Sequence, residues 1–283
     1  MEEKKSFFEL LDPKNALIVG VIGGLLTLGT LGFIVLGILF LKGDVKFSAI
    51  SLAPTVAPVA NQLAAQPAPT PPANIPKTDR PKVELFVMSY CPFGLQMQKA
   101  YAPAWELLEG KADIDVKFVS YAMHELKEVE ENTRQYCIEQ EEPSKYIAYL
   151  KCFTTSGDYK SCMSTAAINT SKIDRCYTAT DKKFGVMAEY NNKSKWLSGR
   201  FPVYPIHQKL NDTYGVQGSP TLIINGVLAE VGRTPEAVKQ AICAAFTNPP
   251  VECGQPLSNL AFQPGFGAGQ AAAAGATQPG CGT

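Results

Sequence analysis

The sequence predicts a mixed α/β domain that carries a helical insertion and is preceded by one membrane-spanning helix. Three observations predict it. An uncharged apolar run fills 16–41. Between 81 and 255, short β-rich runs alternate with segments of helical spacing, and all eight cysteines lie beyond residue 90.

Subtraction defines the organisation. The chain has 283 residues, with 26 Lys+Arg against 26 Asp+Glu, so no net basic field points to nucleic acid. Residues 1–15 form a short polar head, read as cytoplasmic. Residues 16–41 exceed the roughly 20 apolar residues a spanning helix needs, and far exceed the apolar region of a signal peptide. Residues 42–80 are a Pro/Ala-rich linker, uncharged from 47 to 76. Residues 81–255 are enough for one well-buried core. Residues 256–283 carry no charge, are rich in Gly and Ala, and are expected to be a flexible tail. This segmentation argues against a wholly cytosolic enzyme and against a multi-pass transporter.

Lysine counts orient the anchor weakly, with Lys4, Lys5 and Lys14 before it and Lys42 and Lys46 after it. The cysteines orient it better. They lie on one side of the membrane segment, and cysteine-dense domains persist where the milieu is oxidising. The expected location is the cell membrane, single-pass, with the folded domain outside the cytoplasm.

Within the domain, 83–90 (VELFVMSY) reads as a buried strand. Pro92 suits the first position of a helix over 93–108, bent at Pro103. A second strand is expected at 114–121 (IDVKFVSY). The block 125–190 reads as helical, broken at Pro143 and at 156–158, within an insertion spanning about 123–200. Glu125, Lys127, Glu128, Glu130, Glu131 and Arg134 read as a solvated helix face, and His207 as another solvated position. A helix closing at 211–215 precedes a strand at 220–225 (PTLIIN), a tight Asn225-Gly226 turn, a hairpin partner at 227–231 and a last helix at 235–246.

The chemistry sits where the first strand meets the first helix. Cys91-Pro92-Phe93-Gly94 occupies that junction, where free amide N–H groups and the helix dipole favour a thiolate. The second landmark is Ser219-Pro220-Thr221, just before an apolar strand. Its proline is a candidate for the cis isomer and could set a backbone edge able to pair with an extended substrate strand. His124 is a candidate for assisting proton transfer at Cys91, beside the plainer reading of a surface or capping histidine. The stretch 196–205 (WLSGRFPVYP) reads either as the border of a substrate groove or as core packing.

Strand, C-P-x-x, helix, then G-S-P-T before a strand resembles the thioredoxin fold. The long cysteine-bearing insertion resembles the DsbA-like branch of thiol–disulfide oxidoreductases, and its cysteines also resemble the gamma-interferon-inducible lysosomal thiol reductase group. The likeness covers about 81–247. It implies thiol–disulfide exchange, with Cys91 as nucleophile and Pro220 as the cis-proline. The chain departs from the usual C-x-x-C because Gly94 stands where the second cysteine would be. A mixed disulfide on Cys91 must then be resolved by another thiol.

Eight cysteines allow 105 complete pairings. A nested set, Cys137–Cys176 around Cys152–Cys162, would clamp antiparallel helices, and Cys243–Cys253 would close a local loop. Cys91 and Cys281 remain. Cys281 is then a displaced resolving cysteine, an incidental tail cysteine, or one linking two chains. The four insertion cysteines read as structural rather than metal-binding, and no cofactor and no metal are expected. The expected partners are protein thiols or disulfides and a further redox partner, with no nucleic acid. The function expected is a membrane-anchored, extracytoplasmic thiol–disulfide oxidoreductase or isomerase. The alternative is a thioredoxin-fold binding or chaperone-like module that has lost turnover.

Overall fold

A computed structural model describes residues 75–271 and 280–282, together with Thr27 and Thr30. Apart from Thr27 and Thr30, the expected membrane helix at 16–41 lies outside the described residues, as does most of the linker. Among the described residues no helix is long and apolar enough to cross a membrane.

The central strand is β1 (Lys82–Val87), buried along its whole length after Lys82. It runs parallel to β2 (Asp113–Phe118), with Leu85 opposite Val116. It runs antiparallel to β3 (Thr221–Ile224), with Leu85 opposite Leu222, and β3 turns through Asn225-Gly226 into β4 (Val227–Leu228). The order β2-β1-β3-β4, with helix α1 (Pro92–Leu107) connecting the two parallel strands, is the thioredoxin-like arrangement. Helix α8 (Pro235–Ala244), capped by Thr234, packs beside α1. The near-continuous apolar sequence of β1 is what a strand covered on both faces requires.

The second strand ends earlier than its apolar pattern suggests, at Phe118. Beyond it, Tyr121 makes only an isolated bridge to Val203. β2 is also an edge strand, and side chains take up the outward N–H groups of its Val116 and Phe118 and of Ser120 just beyond it. Glu139 accepts from Val116 N at 3.1 Å, His207 Nδ1 accepts from Phe118 N at 3.0 Å, and Asn211 accepts from Ser120 N at 3.1 Å. An edge occupied in this way offers less free ladder to another chain. His207 is therefore not on a solvated face. Burial, with Lys117 nearby, pushes its pKa down to about 3. Burial pushes the Glu139 carboxyl up to about 7.

The insertion contains α2 (Glu125–Glu141), α3 (Pro143–Ser156), α4 (Tyr159–Thr165), α5 (Thr170–Phe184) and α6 (Val186–Asn191). It is followed by α7 (Gln208–Tyr214). Cys137–Cys176 joins α2 to α5, Cys152–Cys162 joins α3 to α4, and Cys243–Cys253 ties α8 to the turn after it. Gly157 ends α3 at φ +71°, where a side chain would also crowd the Phe266 ring at 3.3 Å.

Helix α2 departs most from its sequence reading. Glu128, Glu131, Asn132, Thr133 and Gln135 are fully buried. Most of their polar atoms find partners, while Asn132 Nδ2 does not. Glu131 pairs with Arg134 and accepts from Gln135 at 2.9 Å and Tyr149 at 2.7 Å. Thr133 bonds Val129 O and Tyr204, and Asn132 accepts from Ser89 N at 3.1 Å. Arg134 lies over the Tyr159 ring at 3.6 Å. The helix is the centre of the insertion, so its polar face meets other helices rather than water. Such burial is tolerated because the partners replace the lost solvent.

Two boundaries also move. Thr78 pairs with Ala245 and Thr247, so the domain begins inside the expected linker. Residues 256–271 do not lie free as a tail. They form a strap with the short hairpin β5 (Ala261–Phe262) and β6 (Gln270–Ala271). The buried Lys99 ammonium donates to Gln263 O, Gly265 O and Gly267 O at 2.8, 2.8 and 2.9 Å, and Gln96 donates to Phe262 O at 2.7 Å. Carbonyls freed by a glycine-rich turn thus converge on one cation from α1. The strap also touches the motif directly, since Gly265 N donates to Pro92 O at 2.8 Å.

Candidate active site: a cysteine pair closed by a distant segment

Cys91 is the N-cap of α1, with φ −65° and ψ 122°, and Pro92 fills the first helical turn. Gly94 N donates to Cys91 Sγ at 3.3 Å, so a free amide of the helix start is aimed at the sulfur. That geometry stabilises a thiolate there.

Gly94 cannot be exchanged for a larger residue without displacement. A Cβ on it would lie 2.5 Å from Ser219 Oγ and 3.1 Å from Met88 O. Ser219 Oγ is held in place, accepting from Met88 N at 2.9 Å. The seat of a second motif cysteine is thus filled by the hydroxyl before Pro220. The Ser219–Pro220 peptide bond is cis. Thr221 Oγ1 donates to Gly218 O at 2.8 Å and steadies the loop. Phe93 stands under the Arg233 guanidinium at 5.4 Å.

The partner sulfur comes from 190 residues away. Cys91 and Cys281 form a disulfide with Cα atoms 6.0 Å apart. Ser219 N donates to Cys281 O at 2.8 Å, and Cys281 N donates to Ser219 O at 2.7 Å. The 280–282 segment therefore pairs antiparallel with the loop edge before Pro220, over the sulfur. Cys91 is fully buried beneath it, while Cys281 is half-buried. Beside this bridge lies a cleft of about 290 Å³ lined by Tyr214, Gly218, Pro220, Leu228 and Arg233.

The His124 ring stands 6.4 Å from that of Tyr90, the residue before Cys91. His124 precedes α2 without capping it, and its Nδ1 lies 3.1 Å from Glu128 Oε1. Glu128 is the functional candidate that the sequence concealed. Its buried carboxylate accepts from Tyr90 N at 2.9 Å, Met123 N at 2.7 Å and His124 N at 3.1 Å. It thereby locks the residue before Cys91 to the loop that opens the insertion. Nothing in the local pattern separated it from its charged neighbours. Tyr121 was likewise unmarked. Its hydroxyl donates to Gln217 O at 2.7 Å, and its ring lies 6.1 Å from that of Phe201. Within the aromatic stretch 196–205, Phe201 thus stands beside Tyr121, whereas Trp196 packs on Tyr190. Among the described residues, no group of three or more His, Cys, Asp or Glu is placed to hold a metal.

No family model matches the chain, and no curated protein matches it. Among solved structures it is similar to the reduced form of the disulfide bond oxidoreductase DsbG from Mycobacterium tuberculosis. That match has 13% identity, covers 64% of this chain and 89% of the other, and has a TM-score of 0.44. The oxidised DsbA of the same organism matches at 14% identity over 62% and 87% of the two chains, with a TM-score of 0.44. Oxidised BdbD from Bacillus subtilis matches at 15% over 62% and 92%, with a TM-score of 0.40. The fold assignment rests on the strand order and on the site's own geometry. Those show a thioredoxin-like fold carrying a disulfide-bearing helical insertion.

Proposed function

We propose that the protein is a thiol–disulfide oxidoreductase or isomerase acting on other proteins, with Cys91 as nucleophile and Cys281 as resolving cysteine. The observation that carries this reading is the Cys91–Cys281 bond at the start of α1, where Ser219 occupies the place of a motif cysteine. In the reduced protein the Cys91 thiolate attacks one sulfur of a substrate disulfide, and the other sulfur leaves with the electron pair. The Cys281 thiolate then attacks Cys91 Sγ. The substrate's remaining thiolate departs and the Cys91–Cys281 bond forms. The substrate gains two electrons, and the cysteine pair loses them. The reverse sequence oxidises a dithiol.

We further infer that the domain works outside the cytoplasm, tethered by 16–41. Four disulfides among the described residues suit an oxidising compartment, and the anchor is read from the apolar run. A binding module is the second reading, favoured by the complete burial of Cys91 under 280–282. Mild reduction of the full chain, followed by alkylation of Cys91 across pH, separates the two. An enzyme shows a thiolate forming well below the ordinary cysteine pKa of about 8.5, and Cys281→Ser accumulates mixed disulfides on Cys91. An ordinary titration without exchange supports the binder.

A further inference from the structure

The 280–282 segment is Gly-Cys-Gly, and both glycines are required by what surrounds them. A Cβ on Gly280 would lie 2.9 Å from Ser219 O. Gly282 has φ +83°, and a Cβ there would collide with the Tyr121 hydroxyl and lie 3.0 Å from Gln217 O. On the facing side, a Cβ on Gly218 would lie 2.6 Å from Cys281 O. Gly218 is what lets a strand approach closely enough for the paired bonds at Ser219. Tyr121 cannot retreat freely, because its hydroxyl is bonded to Gln217 O at 2.7 Å.

We propose that this segment is a tethered stand-in for substrate, and that the site takes extended polypeptide segments whose reacting cysteine is flanked by glycine. The proposal rests on the exchange reaction above. A substrate strand makes the same two backbone bonds with Ser219 that Cys281 makes, which places its sulfur on Cys91. Those bonds are indifferent to sequence, so selectivity comes from the space on either side. Before the cysteine, Ser219 O leaves little room for a side chain. After it, Tyr121 and the left-handed backbone exclude one, since only glycine adopts that conformation without strain. The Ser219 carbonyl and Tyr121 thus determine specificity, Gly218 admits the strand whatever its sequence, and 280–282 must leave before a substrate binds.

The test uses the full chain carrying Cys281→Ser, with Cys91→Ser/Cys281→Ser as background. The probes are capped peptides Gly-Cys-Gly, Ala-Cys-Gly and Gly-Cys-Ala, each activated as a disulfide with 5-thio-2-nitrobenzoate. The Cys91 thiolate attacks the peptide sulfur, the disulfide breaks, and thionitrobenzoate leaves as the coloured anion. Each rate is divided by that of the same peptide with free 2-mercaptoethanol, which removes intrinsic reactivity. Any residual docking of the substituted 280–282 segment affects all the peptides alike. Gly-Cys-Gly is expected to react about tenfold faster than Gly-Cys-Ala, corresponding to about 1.4 kcal/mol, with Ala-Cys-Gly between them. Adding Tyr121→Ala should narrow the gap for Gly-Cys-Ala and leave the Ala-Cys-Gly ratio where it was. Equal, rapid reaction of all three peptides overturns the glycine rule and leaves the exchange reading intact. Failure of every peptide to react with Cys91 overturns the exchange reading itself.

Discussion

A methyl group placed on Gly94 would stand 2.5 Å from Ser219 Oγ, so these two residues compete for the space where a second motif cysteine would sit. Gly94→Ala should destabilise the domain by about 1–3 kcal/mol through overpacking. Ser219→Ala removes the obstruction but leaves Met88 N without its acceptor, at a cost of about 1–3 kcal/mol. The double variant should be less damaged than the sum of the singles, by about 1 kcal/mol or more. Urea unfolding of all four proteins measures the coupling, and strict additivity would refute the steric relationship.

Glu128 holds three backbone N–H groups around the residue before Cys91. Glu128→Ala leaves them in a buried site without an acceptor and should cost about 3 kcal/mol or more. Glu128→Gln retains one acceptor oxygen and should fall between. Alkylation of reduced Cys91 should slow in both, because Tyr90 no longer fixes the entry to α1. An unfolding midpoint unchanged by Glu128→Ala would show that solvent replaces the carboxylate.

Stability should fall as pH drops from 6.5 towards 3, and His207 should account for much of the fall. Its folded pKa is depressed to about 3 because it is buried, with Lys117 adding to the effect. The folded state therefore binds fewer protons than the unfolded chain. The stabilisation is complete above 6.5 and is lost as pH descends through the folded value, up to about 3–5 kcal/mol. A protonated Nδ1 also cannot accept the Phe118 N–H. Glu139 acts oppositely, since its raised pKa of about 7 gives stability below 4.5 that is lost as pH rises through 7. The difference between wild type and His207→Gln isolates the histidine. That difference should shrink between pH 7 and pH 4.5.

Mild dithiothreitol should open Cys91–Cys281 before the other three disulfides. An attacking thiolate meets the half-buried Cys281 first and expels Cys91, whose thiolate is received by the Gly94 N–H at the start of a 16-residue helix. A stabilised leaving thiolate departs faster. Cys137, Cys152, Cys162 and Cys176 instead lie within helices and clamp the insertion. Mass mapping of alkylated cysteines over time checks the order. Earlier release of Cys152 or Cys176 would contradict it.

The sequence by itself determined the local grammar. The apolar run of β1, Pro92 at the first helical turn, the Asn225-Gly226 turn and the breaks at Pro143 and Gly157 all follow from backbone preferences that act over a few residues. The same short-range logic marked Cys91 as a helix cap and Pro220 as the residue before a strand. Cysteine spacing left Cys281 beside Cys91, but only the tertiary structure brought these atoms, 190 residues apart, together. Tertiary structure also decided the charge pattern of α2. Glu128 and Glu131 look solvated because periodicity registers side-chain polarity, whereas burial depends on which helices close over them. The strap at 256–271 was illegible for the same reason, because its glycines act through carbonyls that Lys99 gathers and that no side-chain pattern displays.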